Sequence, residues 1–124
     1  MAVDVSSVTV GLSVSDLARA ISWYQRAFEM EGPDLEPADD VVEFRLGPVW
    51  LQLGQELTAR SGAEVVVRLG VPDATSEHAR LVGLGIALGP VEHVEGVVDY
   101  FNFSDPDGNR LSIYSTADGS ADAM

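Results

Sequence analysis

Two segments of this chain repeat each other, and an internal repeat constrains the fold more than any local motif. Val8-Thr9-Val10-Gly11-Leu12-Ser13-Val14 alternates strictly, and Val65-Val66-Val67-Arg68-Leu69-Gly70-Val71 again reads as a strand. Leu12 aligns with Leu69, Val14 with Val71 and Asp16 with Asp73 at one constant offset. In the first copy the alternation puts Val8, Val10, Leu12 and Val14 on one face and Thr9, Gly11 and Ser13 on the other. Each strand leads into a helix. Ser15 or Asp16 caps the first, in which Leu17, Ala20, Ile21, Tyr24, Ala27 and Phe28 recur at helical spacing until Gly32-Pro33. Asp73 caps the second, which carries Ala74, His78, Leu81 and Val82 and closes near Gly83 to Gly85.

Hairpin material follows each helix. In the first copy, Val41 to Leu46 turns through Gly47-Pro48 into Val49 to Leu53. In the second, Val97 to Ser104 turns through Asp105-Pro106-Asp107-Gly108-Asn109 into Arg110 to Ser115. Pro106 presets φ, Gly108 supplies a positive φ, and the Asp and Asn side chains can bond nearby backbone. A weaker strand is expected before each hairpin, near Glu36 and near Leu88 to His93. The order is therefore βαβββ twice, an α+β chain in which each unit has one helix to cover one sheet face.

Hairpin pairing sorts the side chains. Leu46 opposite Val49, Phe44 opposite Leu51 and Val42 opposite Leu53 form an apolar set that belongs under the first helix; Phe101, Phe103, Leu111 and Ile113 belong under the second. The other face carries Glu43 opposite Gln52, Arg45 opposite Trp50, Tyr100 opposite Tyr114, Asn102 opposite Ser112 and Ser104 opposite Arg110. The first strands add Thr9, Gly11 and Ser13, and Val66, Arg68 and Gly70. Aromatics with a few placed polar groups suit a ligand pocket. A solvated face, or one that only joins subunits, is the competing reading.

The net charge is −13, and all seven basic residues are arginine. Such a field repels nucleic acid and anionic membranes. Seven acids lie between Glu29 and Glu43, either as a solvated loop or as a funnel for a cationic ligand. Without cysteine there is no disulfide, zinc–thiolate site or thiol nucleophile. No signal peptide or apolar span of transmembrane length is found, so a cytoplasmic location is expected. The two histidines are read as structural: His78 as a surface or packing residue of the second helix, and His93 as part of a solvated edge, Glu92-His93-Val94-Glu95.

Val14-Ser15-Asp16-Leu17 running into Ile21 and Trp23-Tyr24, with Asp105-Pro106-Asp107-Gly108-Asn109 before the last strand, resembles the vicinal oxygen chelate superfamily. That superfamily includes glyoxalase I, extradiol dioxygenases, and fosfomycin- and bleomycin-resistance proteins. The resemblance covers about residues 6 to 116. It implies a single domain, 1–124, with one unit over about 6–56 and a second over about 63–116; the small, acidic composition of 117–124 predicts a disordered tail. The two units would form a cup-shaped mixed sheet with helices on its outer face. The family's enzymes hold a divalent metal at positions that here are Thr9, Val66, Gln52 and Ser112; none is His or Glu, so no metal and no cofactor is expected. The resemblance then points to its metal-free, bleomycin-resistance-like branch: a homodimeric small-molecule-binding protein, with antibiotic sequestration as one form of that role. Trp50, Tyr100 and Tyr114 would stack on the ligand, Glu43 would meet a cationic group, and Arg45, Arg68 and Arg110 would meet carbonyls or anions, with Thr9, Gln52, Asn102 and Ser112 beside them. The alternative is a metal-independent lyase or isomerase acting on a small polar metabolite. In it Glu43 is the base, Tyr100 or Tyr114 the acid and Arg45 the oxyanion stabiliser.

Overall fold

The structure, a computed structural model, describes residue 4 and residues 7–56 and 66–118. Its contacts divide the chain into two compact units, Met1–Ser61 and Gly62–Met124. The first contains β1 (Thr9–Val14), α1 (Leu17–Phe28), β2 (Leu35–Ala38), β3 (Val41–Leu46) and β4 (Val49–Gln55). The second contains β5 (Val66–Gly70), α2 (Ala74–Gly83), β6 (Glu92–Val94), β7 (Val98–Ser104) and β8 (Arg110–Thr116). Each is βαβββ and builds its own four-stranded mixed sheet, in the order β1-β4-β3-β2 and β5-β8-β7-β6. Val65, expected to open the second copy, lies outside the described residues, as do residues 119–124 of the expected tail. The Ala117 N–H donates to Val97 O at 2.9 Å, a backbone bond just past β8.

In unit one, β3 and β4 pair in the register set by Gly47-Pro48, with Phe44 opposite Leu51 and Glu43 opposite Gln52. The α1 crossover returns the chain parallel to β4, so β1 joins on the far side of the hairpin. One face of the sheet then presents Leu12, Val14, Val42, Phe44, Leu51 and Leu53 to Ala20, Tyr24 and Ala27 of the helix, all of them buried. Asp16 is the cap: its Oδ1 accepts from the Arg19 N–H at 3.1 Å. The Leu17 N–H donates to Gln55 Oε1 at 2.8 Å, which ties the start of α1 to the end of β4. Glu29, at φ 52, ends the helix.

Unit two repeats the scheme. Phe101, Phe103, Leu111 and Ile113 are buried on the face that α2 covers with Ala74 and Leu81. The α2 N-terminus is held twice, because Asp73 accepts from Thr75 and Ser76 and the buried Ser115 Oγ accepts from the Ala74 N–H at 2.9 Å. Ser115→Ala removes that acceptor from a buried donor, so a loss of about 1–2 kcal/mol is expected in urea unfolding. Gly89 meets β7 closely: its N–H donates to Asn102 O at 2.8 Å, and a Cβ at Gly89 would stand only 2.9 Å from that oxygen. His78 completes the contact, with Nε2–H donating to Gly89 O at 2.9 Å and its ring edge-on to Phe101 at 4.9 Å between centroids. His78 is thus a packing residue of α2, as its sequence position implies.

Candidate functional site

The faces turned away from the helices carry the chemically mixed residues, and each unit has its own. In unit one, β1 and β4 set Thr9 beside Trp50 and Gly11 beside Gln52. The β3–β4 pairing sets Arg45 beside Trp50 and Glu43 beside Gln52. Gln52 Nε2–H donates to Glu43 Oε2 at 2.8 Å, so the amide and the carboxylate hold each other across the strands. Glu43, Trp50 and Gln52 are half-buried, while Thr9 and Arg45 are exposed. In unit two, Arg68 lies beside Ser112, Asn102 opposite Ser112, Tyr100 opposite Tyr114 and Arg110 opposite Ser104. The Arg68 Nη1–H donates to Ser112 Oγ at 3.5 Å. Arg68, Asn102 and Arg110 are exposed and Tyr100 is half-buried.

The two central strands differ. In β4, burial alternates and reaches completion only at Leu51 and Leu53 on the helix side. In β8, every residue from Leu111 to Ser115 is buried. Ser112 is fully buried and Tyr114 is 7% exposed, so neither is presented to solvent as Arg68 and Asn102 are.

The four positions to which the resemblance assigns metal ligands do not fit a divalent cation. Val66 has no donor atom. The Gln52 amide nitrogen points its hydrogen at Glu43, and the Thr9 hydroxyl is a neutral group on an exposed strand end. Ser112 has a guanidinium donating to it, which places a fixed positive charge where a metal would need an anion. Among the described residues, no group of three or more His, Asp or Glu side chains is arranged to hold a metal.

The acidic run has a definite place. The Asp34 carboxylate accepts from the Arg45 N–H at 2.8 Å and pins the entry to β2 against β3. Glu36, Asp39 and Asp40 rim a cleft of about 610 Å3 whose apolar part is Leu17, Ile21, Ala38, Val41 and Val42. It lies between the first half of α1 and the β2–β3 turn, and none of Thr9, Glu43, Arg45, Trp50 and Gln52 lines it. The sequence shows the acids but not their grouping beside α1, since that needs the turn at Asp39-Asp40, where Asp40 takes φ 60.

His93 sits on the solvent-exposed edge. Its Nδ1 faces Asp99 and its Nε2 faces Glu95 Oε2 at 2.8 Å. Two acceptors on one ring are both satisfied only by the imidazolium. The hydrogen bond to Asp99, then that to Glu95, raises the His93 pKa above the ordinary 6.5. A raised value means that its stabilising contribution is complete below 6.5 and is lost as pH rises through the higher folded value. An NMR titration should therefore place the His93 midpoint above 6.5 and return it toward 6.5 in Asp99→Asn.

Two tandem βαβββ units, each closed by parallel pairing of its first and last strands, define a glyoxalase-type α+β protein. The chain belongs to the Glyoxalase/Bleomycin resistance protein/Dioxygenase superfamily, whose family model matches residues 6–113. Among solved structures, similarity extends to TnmS3, an antibiotic binding protein from a Streptomyces species. There the TM-score is 0.76 at 20% identity, over 94% of this chain and 100% of that one. It extends also to the fosfomycin resistance protein FosX of Listeria monocytogenes, with TM-score 0.75 at 17% identity over 96% and 98% of the two chains. A glyoxalase / bleomycin resistance protein of Catenulispora acidiphila gives 0.73 at 20% identity over 88% and 96%. These identities establish a shared fold. No curated protein matches the chain by sequence. Among the described residues, no helix is long and apolar enough to cross a membrane.

Proposed function

We propose that this chain is a metal-free small-molecule-binding protein of the glyoxalase/bleomycin-resistance type, working as a homodimer, with sequestration of an aromatic natural product as its role. The observation that carries this reading is the donor set on the mixed faces. At the family's metal positions stand Val66, an amide that donates to Glu43 and a serine that accepts from Arg68, while half-buried Trp50 and Tyr100 offer flat apolar surface beside polar groups. The antibiotic-binding description of TnmS3, a protein of the same fold, supports the ligand class. Glu43 is engaged in a cross-strand bond with Gln52, a polar ladder that favours binding over its use as a base.

Metal-stripped protein should be screened by thermal shift against Ni2+, Mn2+ and Zn2+, then against bleomycin-class and other aromatic natural products. A ligand at about 100 times its Kd adds about 2.7 kcal/mol and raises Tm by several degrees. The expected outcome is such a shift with at least one organic ligand and none with metals. Strong stabilisation by one metal at a stoichiometry near one would overturn the reading. Sedimentation equilibrium tests the dimer.

A further inference from the structure

We infer that the unit-two face is built to take the oxyanion of its ligand, with the Arg68 guanidinium as the anchor; this rests on the small-molecule-binding reading above. The chain has 20 acidic and 7 basic residues, so a carboxylate is the commonest partner an arginine can find. Arg80 shows the usual outcome, donating through Nε to Glu77 Oε2 at 2.9 Å on α2. Arg68 does otherwise. Among the described residues its guanidinium has one polar partner, the neutral Ser112 Oγ at 3.5 Å. Strand pairing explains why, among the described residues, no acid pairs beside it. Around Arg68 the same face of β5, β8 and β7 carries Ser112, Arg110, Asn102, Ser104 and Tyr100. Asp99 pairs with Ser115, whose Oγ serves α2, and so points to the opposite face. Among the described residues, Glu92 on β6 brings an acid to this face only at its edge, where it pairs with Tyr100.

A guanidinium offers five N–H donors in a planar fork, and a hydroxyl satisfies one of them. The complement of the rest is an anion with two oxygens in one plane, a carboxylate or a phosphate monoester. Tyr100, half-buried on the same face, supplies a surface for an attached ring. The same contact excludes a divalent metal at Ser112. A positive charge carried by the chain itself thus stands ready for an oxygen that a metal would otherwise hold.

The test is an NMR titration of the full chain with phenyl phosphate, benzoate and benzylamine, repeated on Arg68→Gln and on Arg26→Gln, which removes an equal charge from α1. Both anions, or one of them, should shift the Arg68, Ser112 and Asn102 amides, and the arm that binds identifies the oxyanion. Arg68→Gln should weaken that binding by about tenfold or more, the order of one charge-assisted hydrogen bond, and Arg26→Gln should leave it within about twofold. Benzylamine binding as tightly as the anions, no shift with either anion, or retained anion affinity in Arg68→Gln would overturn the inference. The parent reading fails separately. If a natural-product ligand from the thermal-shift screen binds wild type and Arg68→Gln alike, the protein is a binder without an Arg68 anchor; if nothing organic binds, neither idea stands.

Discussion

Phe101→Ala is expected to lower the unfolding free energy by about 3–5 kcal/mol, the range for emptying a fully buried aromatic site. Phe101 has no exposed surface, packs at 5.7 Å from Phe103 and takes the edge of the His78 ring at 4.9 Å. Its loss therefore leaves a void at the centre of the α2–β7 contact and frees the histidine that holds Gly89. Natural stabilities are of order 5–15 kcal/mol, so the variant should unfold at far lower urea or fail to accumulate. Phe101→Leu, which refills most of the volume, should recover more than half of the loss. Equal unfolding midpoints for wild type and Phe101→Ala would show that unit two does not depend on this packing.

Asp105→Ala should cost about 3 kcal/mol, by a different route. Asp105, 5% exposed, accepts hydrogen bonds from the Asp107 N–H at 2.9 Å, the Asn109 N–H at 2.9 Å and the Asn109 side-chain amide at 2.8 Å. Asn109 is itself 1% exposed, so the variant takes a carboxylate acceptor away from an amide in the interior. The backbone bonds between Asp105 and Asn109 and between Gly108 and Asp105 then lack the side chain that shapes the loop. Asp105→Asn keeps the shape and one acceptor oxygen and should lose about half as much, as measured by chemical denaturation. If Asp105→Ala matched wild type, the loop's hold on the β7–β8 register would have to come from Pro106 and Gly108 alone.

The parts of the fold legible in the sequence are those governed by a period of two and a tight turn. Glu43 opposite Gln52, Arg45 opposite Trp50, Asn102 opposite Ser112 and Tyr100 opposite Tyr114 follow from Gly47-Pro48 and the Asp105–Asn109 loop, since a slip of one residue would send Phe44 or Phe101 to the wrong face. The minor strands were located less sharply for a physical reason. Near Leu88 the chain makes a single bridge, to Phe103, and the strand proper waits until Glu92–Val94, because Pro90 has no N–H to donate to a ladder. Pro37 is tolerated in β2 because that strand is the sheet's edge. The candidate site was legible as a set of faces. Its energetics were not, because residue type alone does not tell that Ser112 is buried, that Glu43 and Gln52 bind each other, or that Arg68 has a hydroxyl for a partner.

The parallel closure of each sheet bears on how the chain is made. Arg68 on β5 finds Ser112 on β8 only 44 residues later. At synthesis rates of about 5–20 residues per second, β5 waits some seconds with its β8-facing edge unpaired. During that interval Val66, Val67 and Leu69 have no strand partner, and loop closure over such a span is slow compared with a hairpin. Because β8 is the hydrogen-bonded neighbour of β5, that edge can be paired within unit two only once β8 has been made. Slow translation between residues 70 and 110 therefore lengthens the period in which a strand from a neighbouring nascent chain can take the place of β8.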